Sequence, residues 1–347
     1  MGLLRKLTKA LLWLTLGILL LVLSLYGLLV AINWQDQAPS NAALTLEASL
    51  QHTTHIDATD NGYQYLLKHG NQRHLTVSTD LQTLFRQCEQ GDCLQVVTAA
   101  HDQVPTLIGQ HQALLDFYRQ LQQFSYWQEP VPAQPDNLPS YQPLLNAQRL
   151  QLLLAWQALQ QDDLATARQL LDDDLKFWRL VIANNQLLLS AMISQTAVQR
   201  HFAFGQMMMQ SISVEQQAAL LPEGWLVPFR EAELNAKRVY AGEWLFGTNI
   251  MHEMWQQEFT STGSTRMEHL MMRALNPLFL PQASANDYAE LLLACLSHQG
   301  QQAIAWYHWF YNPLGKLLNH SSNLNCHNFN WQQSEQQRRH LIETYTR

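Results

Sequence analysis

Twenty-three consecutive residues without a charge, Ala10 to Ile32, constrain this chain more than any other feature. At about 1.5 Å of rise per residue, a helix over ALLWLTLGILLLVLSLYGLLVAI is long enough to cross a hydrocarbon layer of ~30 Å. Arg5, Lys6 and Lys9 precede it, whereas Asp36, Glu47, Asp57 and Asp60 come after it and before the next base, Lys68. Bases gather on the cytoplasmic side of a span. The pattern therefore predicts a single-pass inner-membrane protein with residues 1–9 inside and everything beyond Trp34 on the periplasmic or extracellular side. Trp13 and Trp34 stand near the two ends, where indole rings favour the water boundary. A cleaved signal peptide would have an apolar core of only about 7–15 residues and a small-x-small site close behind it. Here the core is longer and the nearest such site, Ser40-Asn41-Ala42, lies well past it, so the sequence favours a retained anchor.

Beyond the anchor the chain has ample apolar material and few charges. Over the full chain, apolar residues make up 47% and charged residues 14%, against ~25% charged in an ordinary soluble protein. Amides and hydroxyls must supply much of the wetted surface. The net charge of -7, with its bases scattered, argues against nucleic acid as a partner. Four cysteines in a chain sent to an oxidising compartment predict disulfides. The Gly91-Asp92 turn brings Cys88 towards Cys93, which leaves Cys295 to pair with Cys326. A C-x4-C spacing without paired histidines is not a metal-site pattern.

Taken in order, residues 33–60 are polar and aperiodic and read as a tether. Residues 61–128 read as an N-terminal helical lobe. In it Asp60-Asn61-Gly62 is a turn or cap signal, Ser78 or Thr79 a candidate helix start and Gly70 a candidate stop, and Val104 to Trp127 carries one long amphipathic period. Only Leu94 to Val97 looks strand-like. Five prolines in EPVPAQPDNLPSYQP make 129–143 an extended connector, and 144–347 forms the main helical lobe. That lobe opens with helices over Leu144–Gln160 and Leu164–Ile182, the second capped by Asp163. With Ala155, Ala167 and Leu171 at its small or apolar positions, this hairpin is similar to a single tetratricopeptide unit over some 34 residues. No second copy is present, so no solenoid is assigned. The charge-free run between Arg179 and Arg200 holds too many amides and hydroxyls for a second span and reads as one central core helix. Met207 to Met209 read as core filling, and Trp306, Tyr307, Trp309, Phe310 and Tyr311 as a densely packed aromatic segment. A final helix runs from about Gln332 to Thr344. The expected fold is all-α: one transmembrane helix, then an exported multi-helix domain forming an irregular bundle with one tetratricopeptide-like hairpin.

The sequence carries no nucleophile elbow, SxxK, Walker loop or GxGxxG. His252-Glu253 begins like a zincin helix, but position 256 is Gln, and His52 and His55 sit in the tether without acidic neighbours. No metal or cofactor is expected. The best cluster of titratable groups is Glu231, Glu233, Glu243, Glu253 and Glu258 with His252, near Trp244 and Trp255. A carboxylic acid held against indole can act as a general acid, so Glu243, Glu253 and His252 are the candidate catalytic residues for a carboxylate-dependent hydrolase of an envelope substrate. The favoured expectation is instead a non-enzymatic binding or envelope-assembly protein. Its partners would be the membrane through residues 10–32 and an envelope protein or apolar ligand in a groove lined between Phe202 and Trp309.

Overall fold

The computed structural model describes residues 2–50, 57–132, 138–260, 265–297, 305–321, 330 and 332–345. Among these there is no strand, and the chain is built from α-helices and short 3-10 turns. The helices are α1 (Gly2–Ile32), α2 (Asn41–Glu47), α3 (Gly62–His69), α4 (Thr79–Gln90), α5 (Cys93–Ala99) and α6 (Val104–Gln110). Next come α7 (Gln112–Gln122), α8 (Gln142–Gln160), α9 (Leu164–Asn184), α10 (Leu188–Gln210), α11 (Val214–Leu220) and α12 (Glu223–Leu226). The remainder are α13 (Ala236–Thr260), α14 (Arg266–Leu275), α15 (Pro281–Leu296), α16 (Pro313–Ser321) and α17 (Gln333–Tyr345). Two compact units result, one from Met1–Ser49 with Trp244–Asn328, the other from Leu50–Glu243 with Phe329–Arg347.

The first unit contains α1, whose stretch Thr8–Ile32 is long and apolar enough to cross a membrane and has none of its side chains buried in protein. Within the expected tether 33–60, residues 33–47 make specific contacts in this unit, and 51–56 lie outside the described residues. Asp36 accepts the backbone N–H groups of Gln282 and Ala283 at 2.8 and 2.9 Å, capping the start of α15. Ser40 caps α2 through Ala43 N–H, and α2 packs along α15. Asn33 fixes the end of α1. Its Nδ2 donates to the Phe310 carbonyl at 2.8 Å and its Oδ1 accepts from the backbone N–H of Asn312 at 2.6 Å. Asn312 is itself buried with a φ of 50°, a left-handed conformation that Asn tolerates better than most residues. The aromatic segment departs from the densely packed expectation: Trp306, Tyr307 and Phe310 all stand exposed on a 3-10 helix, Trp306–Phe310. Cys295 is disulfide-bonded; Cys326, expected as its partner, lies outside the described residues, as do His52 and His55.

The second unit is held by one apolar cluster running from Tyr63 to Leu341. It contains residues from both sides of the proline-rich connector, Tyr118 and Trp127 before it and Leu144 and Trp178 after it, so the stretches that flank 129–143 share one core. Asn61, Ser78 and Asp163 cap α3, α4 and α9 through N–H groups two or three residues on. Between α8 and α9, Asp162 takes a φ of 61° while Asp162 and Asp163 N–H bond back to Leu159 and Ala158, a Schellman-type stop that turns the hairpin. Met208 and Met209 are fully buried, as core-filling residues should be. Cys88 and Cys93 are joined. Gly70 ends α3 without a left-handed φ; its role is steric, since a Cβ there would meet the Leu66 carbonyl at 2.7 Å.

Three local expectations fail, the first through a neighbouring cap and the other two because tertiary partners redirect the backbone. Leu94–Val97 is helical in α5, because Asp92 caps Leu94 and Gln95 N–H. The long helix expected over 104–127 is split at His111, whose Nε2 accepts Ser78 N–H at 2.9 Å. The central helix expected between Arg179 and Arg200 breaks at Asn185-Gln186-Leu187. Glu129 receives Gln186 and Leu187 N–H at 2.7 and 3.3 Å, while Arg238 donates to the Ile182 and Asn185 carbonyls at 2.8 and 2.9 Å. An acid thus meets the orphan N–H groups of α10 and a base the orphan carbonyls of α9, the arrangement favoured by helix ends. Gly242 lets α13 touch this break, for a Cβ there would sit 1.9 Å from the Gln186 carbonyl oxygen.

Candidate functional site

The acidic cluster singled out from the sequence is divided between the two units. Glu233 is buried and clasped by Arg179 at 2.7 Å, with Arg230 on its other oxygen. Although burial opposes it, these partners hold its carboxyl below the usual range. Glu243 accepts Leu188 N–H at 3.2 Å and so helps to cap α10; burial raises its carboxyl. His252 is exposed beside Gln256, and Glu253 belongs with it to the first unit, whereas Glu243 belongs to the second. The side chain of Glu258 lies outside what is described. The two indoles are committed as well, Trp244 N–H to the Ala285 carbonyl and Trp255 N–H to Asn276.

A buried acid–histidine pair that the sequence did not suggest lies deep in the second unit. Asp174 accepts from Tyr118 OH at 2.6 Å, from His201 Nδ1 at 2.8 Å and from Gln148 at 3.2 Å. Burial, followed by the nearby Asp174 charge, pushes the Tyr118 phenol well up. The indole N–H of Trp225 donates to His201 Nε2 at 2.8 Å, the nitrogen a general base would need. Gly205 lets the indole in, since a Cβ there would meet it at 2.4 Å. With its working nitrogen taken and no exposure, the pair is an internal strut between α7, α9, α10 and α12.

A cavity of about 500 Å³ lies in the second unit. Leu84 and Phe85 of α4, Val97 of α5, Leu152 and Leu153 of α8, and Phe204 and Met207 of α10 give it apolar walls beside the Cys88–Cys93 bridge. Arg149 and Arg200 enter this wall from α8 and α10, both mostly covered, and face one shared carboxylate, Glu89 of α4. Arg149 donates to Glu89 and Arg200 stands 3.7 Å from it. Arg200 also donates to Gln148 at 3.0 Å, and the Arg149 guanidinium lies over the Phe85 ring. Burial, then repulsion from Arg149, lowers the Arg200 pKa to about 10, even with Glu89 and Asp174 opposing. Two further polar groups of the lining are buried without a partner among the described residues, Arg149 Nε and Gln337 Oε1. Glu89, half exposed, is the one carboxylate in this lining, and the buried Asp174 adds a second negative charge within reach of Arg200.

A second, larger cleft of about 1410 Å³ runs beside α9 and α12. Its charges largely answer one another: Arg179 with Glu233, Arg168 with Glu223, and Asp172 with the Glu223 and Gly224 N–H groups. Among the described residues no group of His, Cys, Asp and Glu side chains is arranged to hold a metal ion. Sequence reasoning missed the Arg149–Arg200 pair, although a signal existed. Arg149 is the sole charge between Asp136 and Asp162, and Arg200 ends one charge-free run and begins another that reaches Glu215, apart from His201. A lone guanidinium in an apolar helix calls for a partner. No protein-family model matches the chain, and comparison with characterised proteins and with solved structures finds no match to either.

Proposed function

We propose that this is a membrane-tethered, exported, non-enzymatic binding protein whose second unit takes an apolar molecule bearing one anionic group. The observation that carries the reading is the wall of the 500 Å³ cavity, where Arg149 and Arg200 share a single acid, Glu89, among apolar side chains. A carboxylate or sulfonate placed there completes the pairing of the second guanidinium, and its apolar body covers Leu84, Leu152 and Phe204. A hydrogen-bond donor on the same molecule would answer Gln337 Oε1. In this reading α8, the first helix of the tetratricopeptide-like hairpin, serves as a pocket wall. The tether is α1, read as a span with Arg5, Lys6 and Lys9 on the cytoplasmic side, so the cavity faces the periplasmic or extracellular space.

The test is fluorescence titration of the full chain in lipid nanodiscs, against empty nanodiscs, with two apolar dyes. One is the anionic anilinonaphthalene sulfonate and the other the uncharged phenylnaphthylamine. A charge-assisted bond is worth about 1.5–3 kcal/mol, so Arg149→Gln with Arg200→Gln should weaken the anionic dye by about tenfold or more. The uncharged dye should bind as before, and Arg200→Lys should restore part of the anion preference. Equal affinity for both dyes, unmoved by the substitutions, overturns the proposal.

A further inference from the structure

We infer that the first unit carries a second membrane contact, in which the apolar face of α14 and the Trp306–Phe310 helix sit in the phospholipid leaflet around the outer end of α1. The inference rests on reading α1 as a span and is independent of the cavity.

Met267, Leu270, Met271 and Ala274 recur along α14 at the spacing of one helix face, with Arg266, His269 and Arg273 on the remainder. In a water-soluble fold such a stripe turns to the core. Here no residue of α14 is buried, and Met267, Leu270 and Met271 are 65%, 66% and 56% exposed. The same unit exposes Trp306 at 75%, together with Tyr307 and Phe310. Six large apolar side chains left in water on two short elements require a cover.

Their tie to α1 says which cover. Tyr26 OH donates to the carbonyl of Ala274, near the end of α14, at 2.7 Å. Asn33 donates to the carbonyl of Phe310 at 2.8 Å, and Tyr311 OH to that of Gln35 at 2.9 Å. Both elements are therefore pinned to the last turns of the apolar helix. From Tyr26 to Asn33 is roughly 10 Å of helix rise, which matches the ~5–10 Å depth of interfacial helices. Any leaflet surrounding Leu25, Leu28 and Ile32, which are all exposed, is in reach of these side chains. Trp and Tyr favour that boundary, and the Arg266 and Arg273 guanidiniums suit lipid phosphates.

The experiment reconstitutes the full chain in phospholipid vesicles without reductant. Single substitutions Met271→Cys and Trp306→Cys carry an environment-sensitive fluorophore, with Leu20→Cys as a mid-span control and Val214→Cys on exposed α11 as an aqueous control. The unsubstituted chain sets the labelling background. All four side chains are exposed, so the substitutions spare the core. Lipids with a nitroxide high on the acyl chain should quench positions 271 and 306, lipids with one near the chain end should quench position 20, and aqueous iodide should quench 271 and 306 several-fold less than position 214. If 271 and 306 behave like 214 while 20 is quenched by lipid nitroxide, the face stands in water and the inference is overturned with the span intact. Should position 20 also escape lipid quenching, the span reading fails and takes the inference with it. Shielding of 271 and 306 from both quenchers means that protein covers the face, which equally overturns a lipid contact.

Discussion

Glu129 offers the sharpest test of how the second unit is held. It is fully buried at the mouth of the proline-rich connector, and its carboxyl receives Gln186 N–H, Leu187 N–H, Tyr141 OH and Ser190 OH. Glu129→Ala leaves two backbone N–H groups at the start of α10 buried and unanswered, at about 1–3 kcal/mol each. Removing a buried acid relieves part of that loss, so the expected net destabilisation is about 2–4 kcal/mol. Glu129→Gln keeps an oxygen for the two amides and turns its NH2 towards Tyr141 and Ser190, whose hydroxyls can rotate to accept, at about 0.5–1.5 kcal/mol. The pH dependence has a definite sign. Burial raises this carboxyl above its ordinary 4.5 in spite of its four donors. As pH rises past 4.5 the unfolded chain ionises first and binds fewer protons than the folded one, so the wild-type chain loses stability across that window. The glutamine variant lacks this contribution. Its deficit against wild type should accordingly be largest in acid and narrow as pH rises. Hydrogen exchange of α9 and α10 peptides, on the full chain in detergent micelles under graded urea, reads both quantities. An alanine effect below about 1 kcal/mol, or a glutamine deficit that widens with pH, would refute the reasoning.

Two further outcomes are expected in the same unit. Gly242→Ala drives a Cβ to 1.9 Å from the Gln186 carbonyl oxygen, and should destabilise by about 1–3 kcal/mol despite the ~1 kcal/mol that alanine gains in an open helix. Gly109→Ala, with nothing within 4 Å of the added carbon, should stabilise α6 instead, so a thermal melt that ranks the two the other way refutes the steric argument. Arg338, then Arg339 and the Phe229 N–H, hold the Glu335 carboxyl down to about 2 against an ordinary 4.5. A lowered acid stabilises the fold above its unfolded value and loses that contribution as pH falls. Protection of α17 amides, taken relative to their intrinsic exchange at each pH, should therefore fall between pH 4.5 and about 2, and Glu335→Gln should lower it at neutral pH and remove the acid step.

Much of the helical order is written locally. Asn61, Ser78 and Asp163 cap helices by bonding N–H groups two or three residues away, and such partners are adjacent in any sequence. The apolar run of α1 needs no partner to be recognised, and Cys88 with Cys93 needs only the turn between them. The break between α9 and α10 is different in kind, because Glu129, Arg238 and Glu243 act on it from more than fifty residues away along the chain. The apolar period continues through Asn185, and those three side chains favour stopping. The same distinction separates the two readings of the acids. As a sequence cluster, Glu233, Glu243 and Glu253 look like a shared reservoir of protons, yet folding gives Glu233 to arginines and Glu243 to the Leu188 N–H. Conversely, Arg149 and Arg200 are isolated charges in apolar helices until the packing of α4, α8 and α10 sets them against one carboxylate. Sequence alone determined most of the helical stretches, though not where they break, and which stretch is apolar enough for a membrane. Which charges meet, and around what cavity, was decided by the tertiary structure, since a charge is committed only when a distant group reaches it at hydrogen-bond distance.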